Sequence, residues 1–365
     1  MESIKCINIE IEKGCHMKME LIRHTIRARE TYEVKIESSL LWECALGIAA
    51  VTNTRLISHM EKPMEEWDNI KKKLSNELLN ELDIVQKHNT WKALLQLLHQ
   101  KEFDSLHMFV DYINHLSDRT LRFICLPYIG SDFQQLRCDA STTDETAIKD
   151  MQEVTENNSF FPKYVEYISS SDADFLKRHL VTVMTGWYEA IIKPEEKQLR
   201  NILEKDKKLK ESMYKKMTAE ELVEWATGGI IYHPEPSVKN VMLIPQYTYR
   251  PWNIEADIEE TKVFYYSVSD ESIRDTKPYA VNPSLVLRYK ALGDETRMRM
   301  VKLLSEGECS LQEITERLAL GKTTAHHHLK ILKTAKLVDT ETSKYKLKQQ
   351  ALHWMNEEMG IYLSQ

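Results

Sequence analysis

Near the C-terminus the hydrophobic positions fall into two adjacent stripes of helical period. Leu311, Ile314 and Leu318 recur at three- and four-residue spacing, and Ala325, Leu329 and Leu332 repeat the pattern beyond Ala319–Gly321, a stretch too short for anything but a tight turn. Two amphipathic helices joined so closely must pack stripe against stripe at a steep angle. Ser310 followed by Glu313 is a capping box, in which each side chain satisfies the other residue's orphan backbone N–H, so the first helix begins at Ser310. The segment around Val338 to Leu347 predicts a hairpin. A terminal helix over 349–363 would carry Leu352, Met355, Met359 and Leu363 along one side. Taken together, residues 284–348 read as a winged helix-turn-helix.

Upstream the pattern changes twice. Ile7, Ile9 and Ile11 alternate with polar residues as a short strand would, and Tyr32, Val34 and Ile36 give a second one. Ser38 or Ser39 then caps an apolar helix running to about Val51, buried on most sides. From Met64 to Met217 helical periodicity is nearly continuous, with helices expected over 64–87, 90–99, 105–116, 119–129, 143–157, 162–168 and 173–192. Pro194 suits the first position of a further charged helix to Lys216, followed by Thr218 to Ala226. Residues 228–270 are richer in Gly, Pro, Tyr and β-branched residues. There Ile230–Tyr232, Val241–Leu243 and Lys262–Val268 read as three strands of an antiparallel sheet.

The expected fold is therefore mainly α with small β elements: a large helical N-terminal module with a short antiparallel sheet, then a C-terminal winged helix-turn-helix. The expected layout is a possible N-terminal extension over 1–31, a sensor or dimerisation module over 32–268, a linker over 269–283 with two prolines, and the winged domain with its terminal helix over 284–365.

Charge sharpens the picture at one place. The chain of 365 residues has a formal charge of −7, yet from Arg317 to Lys348 eight Lys/Arg face only two acids, Asp339 and Glu341. Lys322, Thr323, Thr324, His326, His327 and Lys330 lie off the apolar stripe of the second helix. Their hydroxyl, imidazole and ammonium groups can donate to phosphate oxygens or reach base edges in a major groove. Lys333 is placed for the backbone, and Lys344 and Lys346 on the hairpin can meet phosphates. Asp339 and Glu341 argue against deep minor-groove insertion by that hairpin.

Other chemistries find little support. Gly321-Lys322-Thr323 looks like the end of a phosphate loop, but the required first glycine falls at Glu316 and no strand precedes it. His326, His327 and His328 are consecutive, so on a helix they point about 100° apart and cannot share one ion. His328, beside Leu329, should face inward or lie at the backbone. The other histidines lack metal-ligand spacing, and no nucleophile elbow or GxGxxG loop occurs. No enzyme activity, metal or cofactor is expected. Six cysteines without a CxxC pair, and an N-terminus without a signal sequence, read as a reduced, cytoplasmic protein with no membrane segment.

The stretch LVLRYKALGDETRMRMVKLLSEGECSLQEITERLALGKTTAHHHLKILKTAKLV resembles the DNA-binding domain of the arsenic-repressor (ArsR) family of bacterial regulators, with the ALGDETR entry, the SLQEI helix and the TTxHHHLK helix in order. From Tyr32 to about Pro283 the chain is also similar to the long N-terminal region of some larger members from Gram-positive bacteria. The resemblance implies a DNA-binding regulator, and winged domains of this kind act as homodimers on palindromic sites. Three departures matter. Gly321 stands where the family has a capping Ser, and His326 where it has a small hydroxyl residue. Ser310 and Gln312 occupy the positions of its thiol metal box, so usual metal sensing is not expected. Trp187, Tyr188, the GGIIYHPEP segment, Tyr247, Tyr249, Arg250, Trp252 and Asn253 form either a packed core or dimer surface, or a pocket for a small-molecule effector. The alternative for the whole chain is a winged-helix protein-interaction module attached to a ligand-binding or enzymatic N-terminal domain.

Overall fold

A computed structural model describes residues 31–54, 56–273, 283–341 and 343–364. The strand expected over Ile7 to Ile11 and the middle of the linker, 274–282, lie outside them. The chain begins with β1 (Glu33–Ile36). Ser39 then accepts a hydrogen bond from the Leu41 N–H and starts α1 (Leu40–Thr52), every residue of which is buried. A helix apolar all round belongs inside a protein. Gly47 lets the Trp187 ring lie directly on α1, since a Cβ there would sit 2.6 Å from the indole nitrogen.

Helices at Met64–Lys72, Asn76–His88, Trp91–Leu98, Leu106–His115, Asp118–Cys125, Gln134–Ala140, Glu145–Val154 and Phe161–Ser170 pack around α1 together with α2 (Ala173–Trp187). The single helix expected over 64–87 is two, because the Ser75 hydroxyl accepts from the Leu78 N–H and opens a new one. Gln134–Ala140 was not anticipated. At Pro194, where the helix must lose a backbone donor, the chain passes through a π turn (Tyr188–Ile192) and a 3-10 turn (Lys193–Glu195) into α3 (Glu196–Tyr214). A capping box of Thr218 and Glu221 begins α4 (Ala219–Thr227), which Gly228 ends with φ of 73°.

The N-terminal sheet corrects the expectation of an antiparallel one. β2 (Asn240–Gln246), β3 (Ile254–Ile258) and β4 (Thr261–Ser267) join β1 in the order β1-β2-β4-β3. β1 runs parallel to β2 and β2 parallel to β4; only β3 and β4 are antiparallel, through a tight turn with Glu260 at φ 55°. The reason lies in burial. Val263, Phe264, Tyr265 and Tyr266 are all fully enclosed, because α4 covers one face and α1 with its neighbours the other. An unbroken apolar run is what a central parallel strand requires. The missed β3 alternates Ile254, Ala256 and Ile258 with Glu255 and Asp257. Ile230–Tyr232, expected as a strand, forms none: the Ile230 N–H goes to the Thr227 hydroxyl, and the Tyr232 carbonyl accepts from the Tyr32 hydroxyl.

After a short helix at Asp270–Ile273 come α5 (Pro283–Leu292), α6 (Glu295–Glu306), β5 (Cys309–Ser310), α7 (Leu311–Leu318), α8 (Lys322–Thr334), the hairpin β6 (Val338–Glu341) and β7 (Lys344–Leu347), and α9 (Gln349–Ser364). These elements enclose their own core of Leu285, Met300, Leu304, Ile314, Ala325, Leu329, Leu332 and Met355, among others. In α9, Leu352 and Met359 pack on this core, whereas Leu363 is 75% exposed. The same helix also meets the N-terminal module: the Trp225 indole donates to Glu358 at 3.2 Å and Lys216 pairs with Glu357 at 2.8 Å. Among the described residues no helix is long and apolar enough to cross a membrane.

Candidate nucleic-acid interface

The reading head is fixed from its first turn. Ser310 N–H donates to the Glu313 carboxylate at 2.7 Å, and Glu313 N–H to the Ser310 hydroxyl at 3.3 Å. The backbone bond holds the Glu313 carboxyl below its usual range. Ile314 is fully buried, with Leu311 and Leu318 packed beside it. Ala319 closes α7 in the left-handed conformation, φ 54°, and Gly321 leads into α8 without a side-chain cap. Because Ala325, Leu329 and Leu332 are all fully enclosed, the opposite face of α8 must point to solvent.

Lys322, Thr323, Thr324, His326, His327 and Lys330 are all exposed on that face, together with Lys333 at its end. The first turn of α8 contains no acid, so its unpaired N–H groups and positive dipole end stand beside Lys322 and the two threonines. His328 turns inward as expected: half-buried, it lies 3.8 Å from Asp294 and 3.5 Å from Arg297. Lys330 and Lys322 make no ion pair among the described residues. Lys333 instead donates to the Thr340 hydroxyl at 2.7 Å and ties α8 to the hairpin.

β6 and β7 pair antiparallel, with Cys309–Ser310 as a third strand against β7. Lys344 and Lys346 are exposed on this wing, Lys346 lying 3.5 Å from Glu308. Asp339 accepts from the Thr340 N–H and pairs with Lys348 at 3.4 Å, which keeps its carboxyl ionised below the ordinary range.

Residues 292–341 match the family model described as a helix-turn-helix domain. The matched segment runs from the end of α5 to the end of β6. No curated protein and no solved structure matches the chain. The C-terminal part is thus a helix-turn-helix domain of the kind that DNA-binding regulators carry.

Two lysines in the basic window took no place in the sequence-based site. Lys336, at φ 56°, and Lys348 turn away from the α8 face toward the N-terminal module. Lys336 Nζ stands 3.4 Å from where a Cβ on Gly228 would be, and Lys348 Nζ 3.0 Å from one on Gly229. The GGIIYHPEP segment contained the signal for this contact: two glycines, both at positive φ, leave room for a facing charged layer.

The aromatic and polar collection of the module is divided by the structure. Trp187 and Tyr249 are core. The loop after β2 is pinned by Glu43, which is fully buried on α1 and accepts from the Tyr247 N–H at 2.9 Å, the Thr248 N–H at 2.6 Å and the Thr248 hydroxyl. Burial raises the Glu43 carboxyl above its usual range, against the pull of those donors. Arg250 binds Glu61 at 2.8 Å as well as Asp270. With Pro251 and Asn253 it borders a cavity of about 270 Å³ between the module and the winged domain.

A separate relay, Thr90 hydroxyl to His179 Nε2 at 2.7 Å with His179 Nδ1 on Glu81, has the connectivity of a nucleophile, a base and an orienting carboxylate. Thr90 is fully buried, so no substrate can approach its hydroxyl.

Proposed function

We propose that this protein is a sequence-specific DNA-binding transcriptional regulator of the ArsR type, acting as a homodimer on a roughly palindromic operator and controlled through its N-terminal module. The observation that carries the reading is the two-sided character of α8. One side is a buried stripe anchoring it in a helix-turn-helix core; the other is an unbroken exposed row of Lys322, Thr323, Thr324, His326, His327 and Lys330.

In this reading the start of α8 enters the major groove, where Thr324 and His327 read base edges while Lys322 and Thr323 meet phosphate. Lys330 and Lys333 lie along the backbone, and Lys344 and Lys346 on the wing add electrostatic contacts. Two-fold symmetry sets half-sites about one helical turn apart.

Fluorescence anisotropy against DNA from the protein's own upstream region and scrambled DNA, across a salt series, tests the proposal. A regulator prefers its operator by roughly a thousandfold or more. Lys330→Ala should weaken binding to all sequences alike and reduce the salt slope by about one, whereas Thr324→Ala and His327→Ala should change the preferred base. If selection from random DNA also yields no preferred sequence, the reading fails.

A further inference from the structure

We infer that His328 is a further DNA contact of α8, its Nε2–H donating to a backbone phosphate while Arg297 holds the ring by the other nitrogen. This contact rests on the regulator reading and adds to it a residue whose place beside Leu329 assigned it to the interior.

The two ring nitrogens stand in different settings. Nδ1 lies 3.5 Å from Arg297 Nη1 and 3.8 Å from a carboxylate oxygen of Asp294. At 3.8 Å Asp294 is beyond hydrogen-bond reach. A guanidinium carries donors only, so Nδ1 must be the bare, accepting nitrogen of that pair. The proton of the neutral ring then sits on Nε2. A proton on Nδ1 would set two donors against each other.

Arg297 is itself fixed. Its Nε donates to the Ala291 carbonyl at 2.5 Å and its Nη2 to the Lys290 carbonyl at 3.1 Å, both at the end of α5. With those donors committed, Nη1 is aimed at α8. Asp294 is answered where it stands. One of its oxygens accepts from the Arg297 N–H at 3.0 Å, which holds the carboxyl below its usual range, and the other lies 3.8 Å from Nη1.

Nε2 is placed otherwise. It has no partner among the described residues, yet it is not enclosed as the unpaired Trp354 Nε1 is, so it keeps accessible surface. The side chain as a whole is 15% exposed. One nitrogen is turned in and the other reaches the surface. His328 follows Thr324 by one helical turn, on the same side of α8 and beside the exposed row. At the flank of that row rather than its crest, it meets the strand beside the groove rather than the base edges within it. A neutral donor locked in one tautomer suits a phosphate oxygen, and the ring is already ordered before DNA arrives.

Fluorescence anisotropy of the full chain with an operator selected from random DNA, and with scrambled DNA of equal length, tests the contact through two variants. The side-chain amide of Asn can place an oxygen near Nδ1, and that of Gln an N–H near Nε2. His328→Asn should keep the bond from Arg297 but lose about tenfold or more in affinity, alike for operator and scrambled DNA. His328→Gln should retain affinity to within about threefold. Neither should alter the salt slope, because a neutral donor displaces no counterion, whereas Lys330→Ala should lower it. Circular dichroism melts show that both variants fold. Nitrogen NMR of the histidine rings in the free protein reads the tautomer directly, the His328 signals being those missing from His328→Gln. The expected result is a bare Nδ1 and a protonated Nε2.

No loss in His328→Asn, or equal losses in both variants, would reduce His328 to packing. A loss confined to the operator would move the contact to a base edge, and a proton on Nδ1 would remove the hold of Arg297. Each of these overturns the inference and leaves the regulator reading in place. Absence of DNA binding by the unaltered chain defeats the reading and the contact together.

Discussion

The reading head and the module beside it are held together by contacts of different reach. In the head, Ser310 bonds Glu313 and the α7 stripe repeats every three or four residues. In the module, Glu43 grips Thr248 across 205 positions of sequence, and the Tyr32 hydroxyl reaches the Tyr232 carbonyl across 200. A core assembled from neighbours in sequence can stand largely by itself. A core assembled from distant strands and a buried helix depends on its whole chain being in place.

The sharpest way to break this comparison is to damage the head and watch the module. Leu329 is fully buried at the centre of the winged core. Leu329→Ala should cost about 3–4 kcal/mol of head stability, through lost burial and the cavity left behind. Six of the seven tryptophans lie in the module, so the near-UV circular dichroism signal should persist after operator binding is lost on warming. Simultaneous loss of both signals would mean that the junction at α9 couples the two regions into one cooperative unit.

The same contrast decides what could be read without coordinates. The capping box, both stripes, the inward turn of His328 and the outward row of α8 all follow from spacing within about twenty residues, and each is found in place. The module's helices were also legible, because an apolar period is a local property. Strand direction was not. Nothing near Val241 states whether its strand runs parallel or antiparallel to the partners it meets at Val34 and Lys262, although the unbroken run Val263–Tyr266 was a sign of a strand covered on both faces. Nor could spacing reveal that Lys336 and Lys348, counted with the basic patch, serve the junction instead. That depends on where Gly228 and Gly229 come to rest.

Acid should separate the regions by a smaller margin. His99 bonds the Tyr265 hydroxyl at 2.7 Å across 166 positions, and burial, with Lys92 nearby, pushes its pKa down to about 3. Folded His99 thus stays neutral where the unfolded chain would take up a proton. Its contribution is fully present above pH 6.5 and is lost as pH falls from there toward 3. The loss is about 1.4 kcal/mol per pH unit, or about 2 kcal/mol at pH 5. His179, lowered by burial against the pull of Glu81, acts in the same direction. Urea unfolding of the module between pH 7 and pH 5 should therefore steepen with falling pH, and His99→Gln should flatten it by about one proton. An unaltered slope in the variant would show that His99 takes up its proton alike in the folded and unfolded chain.

The smallest effect is the most selective. Ser310→Ala removes the hydroxyl that accepts the Glu313 N–H but leaves the reverse bond, from the residue-310 backbone N–H to the Glu313 carboxylate, in place. Half of the capping box survives, so the cost should be about 1 kcal/mol. That cost should fall on the head alone, because the Ser310 hydroxyl bonds Glu313 within the head and the pairing of Ser310 with Lys344 is through the backbone. Operator affinity measured well below the melting point should not change, since α8 is placed by Ala325, Leu329 and Leu332 rather than by the start of α7. Thermal melts followed by operator binding and by near-UV signal in parallel would resolve a shift of this size. A matching shift in the module's transition would mean that even a local bond in the head is felt across the junction, and the separation by reach would have to be abandoned.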